Sequence, residues 1–117
     1  MSFKFENLKV WQKAMDYGED IFNLSKEFPK DEIFGLTSQI RRAADSVALN
    51  ISEGSIGQTD PEFKRFIGIA IRSLAEVVTC LHKASRRKYI SEDEFKKQYD
   101  FAFNLMNMLV ALRDKIN

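Results

Sequence analysis

The sequence predicts an all-α protein, and specifically an antiparallel up-and-down four-helix bundle. Apolar residues recur at helical rather than alternating spacing along most of the chain. Breaks at 28–32, 53–61 and 87–91 divide the chain into four segments of helical length. A length of 117 residues suits one core. We therefore expect a single four-helix-bundle domain over residues 1–117, with short connections between antiparallel neighbours.

The first predicted helix, residues 7–28, has a wide apolar face. When successive residues are placed about 100° apart, its apolar residues cover roughly half of the circumference. They are Leu8, Trp11, Ala14, Met15, Gly18, Ile21, Phe22 and Phe28. One core contact requires less apolar surface than this, so we expect another subunit to cover part of the face.

The second predicted helix combines an apolar arc with a line of polar residues beside it. The apolar arc comprises Ile33, Leu36, Ile40, Ala43, Ala44, Val47 and Ile51. The polar line comprises Gln39, Arg42, Ser46, Asn50 and Glu53. A polar line that borders a core, next to small alanines that permit close helix approach, predicts an interhelical hydrogen-bond network. Ser73 and Glu76 on the third helix are its expected partners, whereas Arg41 and Asp45 are expected to point away from the core.

Hydroxyl residues mark the starts of the third and fourth predicted helices. Thr59 with Glu62, and Ser91 with Glu94, fit the capping-box pattern, in which a hydroxyl and a carboxylate satisfy unpaired amides at a helix start. Pro61 falls in the first turn of the third helix, where its missing N–H costs little. Both starts are therefore well defined by the sequence.

The third and fourth predicted helices, 61–87 and 92–116, each carry a core stripe. The first stripe comprises Phe63, Phe66, Ile67, Ala70, Ile71, Leu74, Val77, Val78, Leu81 and Ala84. The second comprises Phe95, Tyr99, Ala102, Phe103, Met106, Leu109, Val110 and Ile116. A further apolar stripe on the fourth helix comprises Phe101, Leu105, Met108 and Leu112. Monomers rarely expose such contiguous apolar surface, so we predict that this further stripe is an oligomer interface. The alternative is that a long loop or an irregular crossing angle covers it within one chain.

No cluster of residues in the sequence predicts catalysis or a cofactor. Glu53, Glu76 and His82 are the candidates for an acid or base, but no nucleophile and base stand at a suitable spacing. The sole histidine forms no metal-ligand motif. The only cysteine, Cys80, excludes an internal disulfide and is expected to be a core or flanking residue. We expect a protein that is not an enzyme and that has no cofactor, no metal and no evident small-molecule substrate.

Two features of the sequence bear on location. No apolar run approaches the roughly 18 residues that a membrane-spanning helix needs. The first residues, MSFKFENLKVW, do not have the pattern of a secretory signal. We therefore expect a cytoplasmic protein that does not act in a membrane.

Basic residues on the third helix form a candidate nucleic-acid interface. The net charge is only +1, so phosphate binding requires the cations to be segregated on one face. The candidates on the outer side and at the end of this helix are Arg65, Arg72, Lys83, Arg86, Arg87 and Lys88. Glu62 and Glu76 lie near this side, and the helix dipole itself favours basic residues at a C-terminus. A solvated outer face is the alternative interpretation.

Three stretches of the sequence resemble a known family. They are FENLKVWQKAM near the start, FPKDEIFGLTSQIRRAADSVALNISEG in the middle and EFKRFIGIAIRSLAEV after the second break. Together they resemble the bacterial four-helix-bundle proteins encoded in intervening sequences of 23S ribosomal RNA genes. The resemblance implies a ring-like homopentamer. It also implies a relationship to the accessory protein of diversity-generating retroelements, a pentameric barrel that binds nucleic acid and a reverse transcriptase.

The sequence departs from that family at one point, and two functional hypotheses follow. Gln58 stands where many relatives have a basic residue, and the chain is nearly neutral whereas the retroelement protein is markedly basic. The first hypothesis is a noncatalytic homo-oligomeric scaffold that binds RNA, DNA or a nucleic-acid enzyme. The second is a homo-oligomeric protein–protein adaptor without nucleic-acid binding.

Overall fold

Four long helices make up the computed structural model, which describes residues 1–57 and 59–116 and confirms the predicted fold class. The helices are α1 (Lys9–Ser25), α2 (Leu36–Ser55), α3 (Asp60–Arg86) and α4 (Glu92–Lys115). Single-turn 3-10 helices at Lys4–Asn7 and Lys30–Glu32 precede α1 and α2. Each helix packs against two neighbours, in the order α1, α2, α3, α4 and back to α1. The seam between α1 and α2 and the seam between α3 and α4 therefore lie on opposite sides of the bundle. The departure noted at Gln58 lies outside the described residues.

The starts of α3 and α4 follow the capping residues. The amide of Glu94 donates to Ser91 Oγ at 3.1 Å, and the amide of Ser91 donates to Glu94 Oε1 at 2.9 Å, which completes a capping box. At α3 the Thr59 hydroxyl accepts from the amide of Glu62 at 3.2 Å, so one half of the predicted box is present. These bonds define where α3 and α4 begin.

The end of α3 is a Schellman motif with an unusual residue. Lys88 has a φ of 63°, the left-handed conformation that glycine adopts most readily. The amide of Tyr89 donates to the carbonyl of Ala84 at 2.9 Å, and the amide of Lys88 donates to that of Ser85 at 3.0 Å. These bonds satisfy the last carbonyls of α3 and turn the chain directly into α4.

The region between α1 and α2 differs from the prediction. α1 ends at Ser25, and the next three amides donate to carbonyls three residues back, which tightens the turn. Phe28 is buried after that turn. Ile33, predicted to extend the apolar arc of α2, is 49% exposed because it lies in the connection, three residues before the helix begins.

The core is built from the apolar faces of all four helices. The fully buried larger side chains include Tyr17, Ile21, Leu36, Ile40, Val47, Ile51, Ile67, Leu74, Val77, Leu81, Leu105 and Leu109. Tyr17 directs its hydroxyl to the carbonyl of Gln98 on α4 at 3.2 Å, and burial raises its pKa. The predicted stripes of α2 and α3 are largely buried or packed against this core. Within the described residues, no helix is long and apolar enough to cross a bilayer.

The face that α4 turns to the core lies between the two stripes that the sequence predicted. Leu105, expected in an oligomer interface, is only 1% exposed. Phe101 packs on Tyr17 of α1, with ring centroids 4.9 Å apart. Phe103, predicted as core, is 59% exposed, and Tyr99 is 36% exposed. The two stripes are the flanks of one broad face, because α1 covers one side of α4 and α3 covers the other. The exposed apolar edge is therefore at Phe103 and not at Leu105.

Replacing Leu105 with alanine tests this arrangement. We expect Leu105→Ala to lower the free energy of unfolding by about 2–5 kcal/mol, because it leaves a cavity in a packed core. The control Ile56→Ala removes an aliphatic side chain that is 62% exposed, and its effect should stay within about 0.5 kcal/mol. Urea denaturation followed by circular dichroism measures both. Similar losses in the two variants would contradict the burial of Leu105.

Candidate docking surfaces and nucleic-acid interface

A short hydrogen-bond chain joins α2 to α3 at the middle of their seam. The hydroxyl oxygens of Ser46 and Ser73 lie 2.8 Å apart. Asn50 Nδ2 donates to the carbonyl and to the hydroxyl of Ser46, both at 2.8 Å. The predicted polar network therefore exists in these three residues, and its role is to join the two helices.

The longer members of the predicted network lie outside it. Gln39, Arg42, Glu53 and Glu76 are all exposed, and no hydrogen bond joins their side chains to other described residues. They occupy the outer edge of the same helical arc, where a long side chain reaches water without crossing the seam. Arg41, expected to point away from the core, instead donates from Nε to Ser25 Oγ on α1 at 2.6 Å.

An apolar groove runs along the seam between α1 and α2. Its volume is about 380 Å³. The residues that line this α1–α2 groove are Phe5, Trp11, Ala14, Met15, Gly18, Glu19, Ala44, Asp45, Ala48, Leu49 and Ser52. The small residues lie at spacings of four on the two facing helices and form the floor, whereas Met15 and Leu49 are exposed by 45% and 60%. Met15 was predicted as part of a wide apolar face, but Leu49 was not singled out.

A second apolar surface lies on the opposite side of the bundle. This α3–α4 patch comprises Ala75, Val78, Tyr99, Ala102, Phe103 and Met106, around a shallow cleft of about 280 Å³. Aromatic rings lead to it along α4, with centroids 5.6 Å apart from Phe95 to Tyr99 and 6.5 Å from Tyr99 to Phe103. His82 packs edge-on against Phe95 at 4.9 Å. The α3–α4 patch thus exposes aromatic side chains around its cleft, whereas the α1–α2 groove is floored by small residues.

The predicted basic residues lie along α3 and in the turn that follows it, and all of them are exposed. We name this surface the α3 face; it comprises Arg65, Arg72, Lys83, Arg86, Arg87 and Lys88. Arg65 lies over the ring of its neighbour Phe66, 4.7 Å from the centroid. Arg87 is an exception, because it binds Glu32 Oε2 at 2.6 Å. Glu76 lies between the cations along the helix. The α3 face is thus accessible, but its charge is partly offset.

Glu32 ties together the two connections at one end of the bundle. Besides Arg87, its carboxylate accepts the Tyr89 hydroxyl at 2.8 Å and the Leu36 amide at 3.2 Å. The hydrogen bond from Tyr89 is the largest cause that lowers the pKa of the Glu32 carboxyl below its ordinary value, and the bonds from Leu36 and Arg87 lower it further. The hydrogen bond between Tyr89 and Glu32 in turn raises the pKa of the Tyr89 hydroxyl. Glu32 therefore has a structural role: it caps α2 and fixes the turn that follows α3.

The candidate acid, base and metal-ligating side chains do not gather at one place in the described chain. Across residues 1–57 and 59–116, no three histidine, cysteine, aspartate or glutamate side chains come close enough to hold a metal ion. Glu53 on α2 and Glu76 and His82 on α3 are exposed, and no hydrogen bond joins them within the described residues. Cys80 is buried, and burial raises the pKa of its thiol, which disfavours the reactive thiolate.

Comparison with known proteins identifies the family. Residues 6–111 match the family model described as 23S rRNA-intervening sequence protein. The chain therefore belongs to the 23S rRNA-intervening sequence protein family. No curated protein matches the sequence. Among solved structures, a protein of unknown function of the S23 ribosomal protein family from Bacteroides thetaiotaomicron is similar, with a TM-score of 0.83 and 23% identity over 89% of this chain and 97% of that chain. At that identity, the likeness supports the fold alone.

Proposed function

We propose that this member of the 23S rRNA-intervening sequence protein family is a noncatalytic homo-oligomeric scaffold that binds RNA or DNA along α3. The observation that carries the proposal is the presence of two unlike apolar surfaces on opposite sides of one bundle. Contiguous apolar surface is rarely left in water by a soluble monomer. A second copy of the chain is the partner that the shapes of these surfaces suit.

The two surfaces differ in the side chains that they present. The α1–α2 groove has a floor of small residues and walls that include Met15 and Leu49. The α3–α4 patch presents the partly exposed rings of Phe103 and Tyr99. Packing of the patch of one subunit into the groove of the next buries both surfaces at once. Because the surfaces differ, the contact is head-to-tail, and repetition closes a ring when the rotation per subunit allows it. We propose five subunits, the number that the family resemblance implies.

The α3 face is the candidate surface for nucleic acid. Arg65, Arg72 and Lys83 line neither the groove nor the patch, so head-to-tail assembly leaves them in solvent. Affinity for phosphates comes largely from the release of counterions by clustered cations. Repetition of a modest basic face around an oligomer gives a multivalent surface, whose avidity exceeds the affinity of each copy.

The alternative function is a homo-oligomeric adaptor whose partner is another protein. The observation that favours it is the charge balance of the α3 face. Arg87 is paired with Glu32, and Glu76 lies among the remaining cations. A nearly neutral chain with a net charge of +1 has a weak field for attracting a polyanion. The two functions share the same assembly and differ in the role of the α3 face.

Substitution of Phe103 tests the assembly. We expect the wild-type protein to be an oligomer at micromolar concentration, and Phe103→Glu to reduce its mass while helicity is retained, because the side chain is exposed in the monomer. The control is Phe34→Glu, at a side chain that is 95% exposed and lines neither surface. Size-exclusion chromatography with light scattering measures the mass. A monomeric wild type, or a Phe103→Glu variant of unchanged mass, would contradict the proposed assembly.

Charge reversal on α3 tests nucleic-acid binding and separates the two functions. A variant with Arg65, Arg72 and Arg86 each changed to Glu should lose at least about tenfold in affinity for an RNA hairpin or a DNA duplex. The control variant changes Lys9, Lys13 and Lys97 to Glu, which gives the same change in net charge elsewhere on the surface. Fluorescence anisotropy at two salt concentrations measures both affinity and its salt dependence. Binding that is absent, insensitive to salt or equally affected by both variants would favour the adaptor.

A further inference from the structure

A basic cleft lies where α1 ends and α2 begins, away from the α3 face. It is open to solvent and has a volume of about 480 Å³. Lys26, Lys30 and Arg41 line it, and none of the described residues that line it is acidic. In a chain of almost balanced charge, three cations around one cleft without a carboxylate are a local excess that suits an anion.

Arg41 is held in a fixed orientation within this basic cleft. Its Nε donates to Ser25 Oγ at 2.6 Å, and its guanidinium carbon lies 4.4 Å from the centre of the Phe22 ring. Ser25 is buried and donates its own hydroxyl to the carbonyl of Phe22 at 2.8 Å. The terminal nitrogens of Arg41 make no hydrogen bond to the residues that the structure describes. A planar guanidinium with both terminal nitrogens available is the side chain best suited to hold two oxygens of one anion.

Thr37 adds a hydrogen-bond donor that has no partner. The residue is only 4% exposed and lines the basic cleft one helical turn before Arg41. Its hydroxyl makes no hydrogen bond within residues 1–57 and 59–116, and its oxygen is open to the cleft, because the one fully buried polar side-chain atom without a partner among those residues is Gln98 Oε1. The backbone amides of Thr37 and Ser38 also lack an acceptor in the described chain, because Gly35 at the N-cap has no side chain to supply one.

The carboxylate that caps the first amide of α2 has further partners. Glu32 accepts from the amide of Leu36, from Tyr89 and from Arg87, and so leaves the next two amides of α2 unpaired. The first turn of α2 therefore presents unpaired N–H groups, the positive end of a 20-residue helix and the Thr37 hydroxyl beside three cations.

We propose that this basic cleft is a binding site for a phosphate group, held by Arg41, the Thr37 hydroxyl and the lysines Lys26 and Lys30. The ligand class is a phosphate monoester, either a mononucleotide or the phosphorylated 5′ end of a nucleic acid. The site goes beyond the proposed function: it is separate from the α3 face and requires neither oligomerisation nor binding along that face. If the basic cleft does not bind phosphate, the scaffold proposal is therefore unaffected. If the chain is not an oligomer or does not bind nucleic acid along α3, the phosphate site is likewise unaffected.

Titration with inorganic phosphate at low ionic strength is the first test. Two-dimensional NMR should show saturable shifts of the Thr37 and Ser38 amides, with a dissociation constant at or below about 1 mM. Arg41→Gln should weaken binding by about tenfold or more, since it removes charge-assisted bonds. Thr37→Val, which keeps the shape of the side chain, should weaken it severalfold, whereas Thr37→Ser should retain it. Lys97→Gln, an exposed lysine outside the cleft, is the charge-matched control.

Three further probes distinguish the sources of the phosphate. If adenosine monophosphate binds more tightly than inorganic phosphate, the ligand of the cleft is a nucleotide. A 5′-phosphorylated RNA oligonucleotide is compared with both small molecules and with the same RNA that carries a 5′-hydroxyl group. If the phosphorylated RNA binds most tightly of all, the ligand is the phosphorylated end of a nucleic acid. The proposal is overturned when the Thr37 and Ser38 amides do not shift with any probe, or when Arg41→Gln and Thr37→Val bind as the wild type does while circular dichroism shows them folded.

Discussion

The close approach of α2 to α3 is the constraint on which the other surfaces depend. A Cβ atom at Gly54 would lie 2.7 Å from the Cβ of Phe66 and 3.0 Å from the ring of Phe63, so the last turn of α2 can rest on the first turn of α3 only without a side chain. Midway along the seam, the hydroxyls of Ser46 and Ser73 are short enough to meet at 2.8 Å. Small residues thus set the spacing of this helix pair, which has the most extensive contact in the bundle.

With α2 and α3 fixed side by side, α1 and α4 complete the bundle and create the α1–α2 groove and the α3–α4 patch. α1 packs on α2 over small residues such as Ala14 and Ala44, which leaves a groove between their larger neighbours. α4 packs on α3 over Ala102 and leaves Phe103 projecting. Both surfaces are by-products of core packing, and in the proposed assembly they are the two different ends of each subunit.

Much of the fold could be predicted from the sequence, because the signals that specify it are local. Ser91 and Thr59 mark helix starts through bonds to residues three positions away, and the stripes of α2 and α3 follow from helical periodicity. The core face of α4 could not be placed in this way. Apolar residues cover most of the circumference of α4, so the sequence pattern does not indicate which side of the helix faces the core. The positions of α1 and α3 determine that Leu105 is buried and that Phe103 is exposed.

The candidate sites were less predictable because they depend on contacts between distant residues. The polar line of α2 was recognised as a unit, yet only Ser46 bonds to Ser73 and only Asn50 supports Ser46, since longer side chains at its edge reach water. The sequence indicated the basic residues of α3. It did not indicate that Arg87 pairs with Glu32, because these two residues are 55 positions apart. For the groove, the small residues at spacings of four on the first two helices were an available signal. For the basic cleft, nothing in the sequence shows that Lys26 and Arg41 share a surface.

The central claim is that the chain associates head to tail through two unlike surfaces, and a mixing experiment tests it most directly. Phe103→Glu has a damaged α3–α4 patch and an intact α1–α2 groove, whereas Leu49→Glu has the reverse. Each variant alone should be monomeric by light scattering. An equimolar mixture should give a dimer and nothing larger, because only one productive interface remains per pair. A mixture that stays monomeric, or a Leu49→Glu variant that alone retains the mass of the wild-type oligomer, would contradict the account.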